Sequence, residues 1–523
     1  MFTAFTFMAF TALVAFYSWY SVRKDKLDSQ EGYFLGGRTL SGTVIAGSML
    51  LTNISTEHLI GMNGSAYKNG FIIIAWEVTS AIALVVAALF FIPRYLKMGL
   101  TTIPEYLEYR FDSATRTLVA VFLLVSFVVT LLPIVLYTGA INLESIFNVA
   151  NELGVSHGQG LTLTVVALGL VGSVYAIFGG LKAVAVSDTL HGYGLILGGI
   201  AIPVLALMSI GQGNMLEGLH KVYQHSPEKF NVIGARDSVL PFEVLFTGLI
   251  INQLYFWGMN QTIIQRALGA KNLVEAQKGL LYTGALKIMI PLIIVLPGVI
   301  GYYYFGNSLY DNQDMIYPEL IKKVMPIGFA GLFAAIIMGA VLSTFNSVLN
   351  SAATIFSVDV YKRHLNPTAD DKKLVRIGKG CSALLAVFAI LAAPLVGYAP
   401  DGLYQLLQQL NGIFFIPIAS IMLAGFFLPR ISAAGAKAAL VTGLAFYLLT
   451  TFILSVNIHF VHLWAIEFLL NLAVMVAVSF YYPSTSPQQL SWDRNMPGWK
   501  YAQLMSAVLC LITVAIYILL GKS

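Results

Sequence analysis

Leu50-Leu51-Thr52-Asn53-Ile54-Ser55-Thr56-Glu57-His58 sets a polar cluster in the middle of an apolar run spanning residues 41–65. The run is long enough to cross a bilayer core, which takes about 20 helical residues. Inside such a core, backbone and side-chain polar groups have no water to bond, so polar clusters mark a place where the chain does something other than anchor. Lone hydroxyls such as Thr52, Ser55 and Thr56 often bond back onto their own helix. That habit does not absorb Asn53, Glu57 and His58 as well. The stretch therefore predicts a helix that unwinds at midplane and turns backbone carbonyls toward a cation or solute.

Working outward, the composition agrees with a membrane interior. Of the 523 residues 58% are hydrophobic and 11% charged, with a mean hydropathy of +0.78; a soluble domain carries about 25% charged residues. Fourteen apolar runs of spanning length lie between residues 3 and 520, which predicts an all-α integral membrane protein of about 14 transmembrane helices. The first run lacks a basic leader and is followed by Arg23, Lys24 and Lys26, so it reads as a retained span. Counting alternate connections from there, most of the 30 Lys and Arg residues fall on the side holding Arg23, which puts that side in the cytoplasm and both termini outside. The net charge of +5 thus reflects topology and a lipid partner, not nucleic acid. Cys381 and Cys510 lie far apart in apolar runs, so neither a disulfide framework nor a zinc site is indicated.

Further polar and aromatic positions fall inside the runs. Glu77 and Ser80 share a helix face at i and i+3. Lys287 lies nine residues beyond Lys278, which at about 1.5 Å per residue places it about 14 Å deep in a core of about 30 Å. It is a partner for Glu77, as a structural ion pair, a solute contact or both. Tyr404-Gln405-Leu406-Leu407-Gln408-Gln409 carries amides that both donate and accept, as a sugar's hydroxyls do, beside a ring for its less polar face; interhelical amide bonding is the alternative. Tyr255-Phe256-Trp257 is either a gate or packing. Ala340, Ser343 and Thr344, at i, i+3 and i+4, offer hard oxygen ligands without a carboxylate, which suits a monovalent cation.

The chain resembles the sodium:solute symporter family, closest to its bacterial sodium/galactose branch. The resemblance rests on Asn53-Ile54-Ser55-Thr56-Glu57, Gly61-Met62, Tyr175-Ala176-Ile177-Phe178-Gly179-Gly180-Leu181, Trp257-Gly258-Met259-Asn260-Gln261 with Gln265-Arg266, Leu296-Pro297-Gly298, and Leu349-Asn350-Ser351 with Asp359-Val360-Tyr361. It implies a LeuT-like core of two inverted five-helix repeats with broken helices, at 41–210 and 241–427. An extra helix and loop precede it at 1–40, and three extra helices follow at 428–523. The resemblance further implies that sodium meets the carbonyls of Leu51, Ile54 and Ala340 and the hydroxyls of Ser343 and Thr344, with Asp188 in support. Glu77, Ser80, Lys287 and Gln408 resemble the solute-binding set and Met62 and Tyr404 the outer gate; Asn53, from the polar break, is a further solute-binding candidate, and Phe256 and Trp257, from the aromatic stretch, are further gate candidates. Three positions depart: His58 stands for a glutamine, Gln253 for an asparagine, and Phe256 for a tyrosine.

The expected function is sodium-coupled import of a small polar solute, foremost a hexose, across a bacterial inner membrane by alternating access. An acidic solute such as a sugar acid, and a solute sensor on a transporter scaffold, are the alternatives. Enzymatic chemistry is not expected, because no convergent nucleophile or His/Cys constellation is evident.

Overall fold

In the computed structural model, residues 2–55, 57–398, 403–454, 456–484 and 496–521 are described. Among them the chain is helical, with a single isolated bridge between Leu40 and Ala270. Among the described residues twelve helices are long and apolar enough to cross a membrane. The run at 241–265 is not among them, and the run at 41–65 contributes only its second half, from His58. These two runs are interrupted. The first is a helix over Gly42–Asn53 that stops at Ile54 in extended backbone and resumes at His58; the second is split into helices over Gly248–Gly258 and Gln261–Leu268. Adding the two to the continuous spans reconciles the structure with the fourteen runs of the sequence.

Interruption also separates two spans that a helical trace would merge. The helical stretch His157–Ile210 is too long for one crossing and kinks at Gly180, where φ is 59° and ψ −171°. A Cβ there would sit 2.7 Å from the carbonyl oxygen of Tyr33, so only glycine fits the bend and the close approach. Small residues likewise let the Gly42–Asn53 helix nest between its neighbours: Gly47 faces Thr189, and Ile45 packs over Gly279. Without a hydrophobic force between helices in lipid, such close packing is the main source of association.

The Gly42–Asn53 helix lies between His157–Ile210 and Leu273–Met289, and Ile327–Ile355 runs against the first of these. The N-terminal helix Phe2–Val22 packs on the outside of that pair, while Ala433–Leu448 and Phe460–Tyr481 pack on each other and on Leu403–Phe427. Their outward faces carry exposed rings and aliphatics such as Phe16, Val441, Leu469 and Phe480, the surface expected to meet lipid acyl chains. The connection after Ile210 forms a capped helix, Met215–His225, and is tied down by Lys229, whose Nζ donates to the carbonyls of Tyr67 and Lys68 at 2.9 Å each.

Candidate functional site

Both interruptions open onto one cavity, of about 60 Å³ for water-sized occupants. Its walls contain Asn53, His58, Glu77, Ser80, Gln253, Phe256, Lys287 and Gln408, so the complete solute-binding set expected from sequence converges there. Trp257 of the expected gate lines it too. Met62 is fully buried outside the lining, and the Tyr404 side chain, like those of Gln405 and Thr56, lies outside the described residues.

The polar groups in the wall are largely matched to each other. Lys287 pairs with Glu77, and its Nζ donates to Asn53 Oδ1 at 2.6 Å. Both charges are buried, and a buried charge without its partner would be strongly destabilising. Gln253 forms a second knot: its Nε2 donates to the Trp76 carbonyl at 2.7 Å, while its Oε1 accepts from Ser80 at 3.0 Å and from Trp257 Nε1 at 3.1 Å. The Lys287 ammonium also lies 5.4 Å from the centre of the Trp257 ring, where the ring's quadrupole attracts it. With the pair internally neutral, the remaining surface is one of amides, hydroxyls, aromatic rings and the Glu57–His58 couple, whose facing atoms are 3.7 Å apart.

Beside this cavity the first interruption meets the Ile327–Ile355 helix. Thr344 Oγ1 donates to the Thr52 carbonyl at 3.0 Å and lies 3.4 Å from that of Ala340. Thr52 Oγ1 is 3.0 Å from Ser347 Oγ, which in turn donates to the Ser343 carbonyl at 2.6 Å. The Ser343 hydroxyl is buried beside the Asp188 carboxylate and has no partner at hydrogen-bonding geometry. Helix termination at Asn53 releases the last carbonyls of that helix, including Leu51, from their own ladder. An orphan hydroxyl next to freed carbonyls suits the sodium ion the sequence leads one to expect there. Asp188 stands behind: its Oδ2 accepts from Ser48 at 2.6 Å and lies 4.0 Å from Arg266, and Arg266 also reaches Ser347.

Sequence reading passed over Asn252, Thr262 and Trp76 in the cavity wall. An amide at position 252 inside an apolar run was the available signal. Trp76 gave none, since a ring in a membrane helix is ordinarily packing. The Arg266 link to Asp188 joins residues 78 positions apart and appears only with the fold.

The sodium:solute symporter family profile matches residues 33–443 of the chain. The symporter YidK of Escherichia coli K12, itself uncharacterised, is 42% identical over 98% of this chain and 90% of its own length. The sodium/glucose cotransporter of Vibrio parahaemolyticus is 34% identical over 82% of each, and the sodium/myo-inositol cotransporter of Bos taurus 29% identical over 81% of this chain and 63% of its own. Among solved structures, a Na+-coupled sialic acid symporter in a substrate-bound outward-open state superposes with a TM-score of 0.76 at 20% identity, covering 92% of this chain and 98% of the other. The nucleobase–cation symporter MHP1 superposes at 0.56 with 16% identity, covering 87% and 97%. At those identities the likeness speaks to the LeuT-like fold alone.

Proposed function

Because the chain belongs to the sodium:solute symporter family, we propose that it couples sodium entry to import of an uncharged, hydroxyl-rich solute, foremost a hexose. Sodium as the co-transported ion, symport rather than enzymatic chemistry, and a multi-pass membrane setting follow from the family. The solute class is our reading, and one observation carries it: Lys287 is neutralised by Glu77 within the cavity wall. A sugar acid would need that lysine free, and Glu57 in the same wall would repel it. Amides and hydroxyls that donate and accept in equal measure suit a polyol, and Phe256 and Trp257 offer flat faces for its C–H side. The resemblance to the sodium/glucose cotransporter of Vibrio parahaemolyticus supports the same class.

In this reading Leu51, Ile54, Ala340, Ser343 and Thr344 hold sodium entering from outside, which ties the first interrupted helix to the Ile327–Ile355 helix. Asn53, on the same interruption, holds Lys287, so fixing that helix end also fixes the solute wall. Coupling then requires only that sodium favour the solute-competent arrangement, with a membrane potential supplying about 2.3 kcal/mol per charge for each 100 mV. The two repeats at 41–210 and 241–427 rock around the site, Met62, Tyr404, Phe256 and Trp257 close it outward, and both termini face the outside of a bacterial inner membrane.

Uptake of radiolabelled hexoses, pentoses, inositols and sugar acids into proteoliposomes, with and without a sodium gradient, tests the solute class. A neutral polyol should accumulate only with sodium. Accumulation of a sugar acid in preference to every neutral sugar would replace the reading.

A further inference from the structure

The three helices at the C-terminal end carry a polar cluster that the transport site does not use. Glu467, on Phe460–Tyr481, is fully buried, and neither carboxylate oxygen has a hydrogen-bond partner. Asn471 follows one turn later on the same face and is also fully buried; its Nδ2 donates to Ser420 Oγ at 3.2 Å, and its Oδ1 has no partner. The amide orientation is dictated by its surroundings: Ser420 gives its own hydrogen to the Ile416 carbonyl at 2.8 Å, so it must receive an N–H, and the amide oxygen is left without a donor.

That oxygen and the carboxylate converge on one point. A Cβ built on Gly443 of the neighbouring Ala433–Leu448 helix would lie 2.7 Å from the Asn471 amide and 3.0 Å from Glu467 Oε1. Only glycine fits beside these groups, and two buried acceptors without partners, Asn471 Oδ1 and Glu467 Oε1, both lie within 3.0 Å of that point. A lone carboxylate deep in a membrane protein must be neutralised by something. Hard oxygens with a single negative charge select a small monovalent cation over a divalent one.

The geometry points to a sodium-binding site between these C-terminal helices and the Leu403–Phe427 helix, with Glu467 and Asn471 as its ligands, separate from the ion site at Ser343 and Thr344. The site is mechanically close to the solute cavity. Trp464, one turn before Glu467, donates to Tyr447 Oη at 3.1 Å and packs its ring against Trp76, centroids 6.3 Å apart; Trp76 lines the cavity. An ion at Glu467 thus braces the outer wall of the transport site.

Equilibrium binding of radioactive sodium to the purified full-length protein at saturating sodium tests the site, independently of which solute is carried. Glu467→Gln should bind one sodium fewer per protein than the native chain while keeping the Ser343-dependent one, whose retention shows the variant is folded. Ser343→Ala should lose the other, and the double variant should bind none. Equal binding by Glu467→Gln and the native chain would overturn the proposal and leave a proton as the neutralising partner. If Glu467→Gln does not fold, Asn471→Ser in the Ser343→Ala background decides: sodium half-saturation should rise about tenfold, and an unchanged value would overturn the site.

Discussion

The two interrupted helices are finished differently. At the second, Asn260 takes up extended backbone (φ −72°, ψ 121°), and its side chain accepts from the Thr262 N–H at 2.9 Å and from the Thr262 hydroxyl at 2.8 Å. That interruption caps itself. At the first, Ile54 is extended (φ −87°, ψ 98°) with no side-chain cap on the segment that follows, and Ser55 Oγ and Glu57 Oε2 are buried without hydrogen-bond partners. One break is satisfied by the protein, and the other keeps open valences near the orphan Ser343 hydroxyl. Buried polar groups are normally paired, and the difference supports the proposal that the first break receives an ion through backbone while the second shapes the cavity with side chains.

The sharpest way to break this contrast is to remove the lysine that holds the edge of the open break. Lys287→Ala leaves Glu77 buried and unpaired, which should cost about 3 to 5 kcal/mol of stability, read as a lowered melting temperature in detergent. Lys287→Met with Glu77→Gln should recover most of that stability while transporting no solute; recovery of transport would reduce the pair to packing. Next in size, Thr344→Ala should raise the sodium concentration for half-maximal uptake about tenfold, the equivalent of about 1.4 kcal/mol, with little change in melting temperature. At the self-satisfied break, Asn260→Ala should cost about 1 kcal/mol of stability, the worth of an N-cap, and leave sodium half-saturation unchanged. An altered sodium dependence there would erase the distinction between the two breaks.

A surface pair sets the lower bound. Asp112 Oδ2 accepts from Lys437 Nζ at 2.7 Å across the junction with the C-terminal helices. Partial burial pushes the Asp112 carboxyl up, but Lys437 and the bonds from Thr115 outweigh it and hold it below its ordinary value. A depressed carboxylate contributes stability above its unfolded pKa, and the contribution is lost as pH falls through the folded value. Asp112→Asn should therefore cost about 0.5 kcal/mol near neutral pH, a difference that disappears in acid.

Much of this was legible before any coordinates. The cluster at residues 52–58 announced the open break because polar groups in lipid need a reason to be there. Glu77 and Lys287 were matched by depth alone, Gln408 was read from its amide cluster, and Gln253 and Phe256 came through the family resemblance. What the sequence withheld depends on contacts between distant helices. Asn260 reads as any amide until its cap is seen, Arg266 is a motif residue until it reaches Asp188, and Glu467 with Asn471 one turn on reads as an ordinary interhelical pair until their missing partners are seen. Whether a polar side chain is matched or left open is a property of packing, and that property separates the two breaks.

In the proposed mechanism the open break and Ser343 together take up sodium to drive solute entry. Its most direct test is solute uptake into proteoliposomes under an imposed sodium gradient, comparing the native chain with Ser343→Ala at equal protein. The native chain should accumulate solute only with sodium, and Ser343→Ala should fall to the level seen without it. Sodium-driven accumulation by Ser343→Ala equal to that of the native chain would contradict the account.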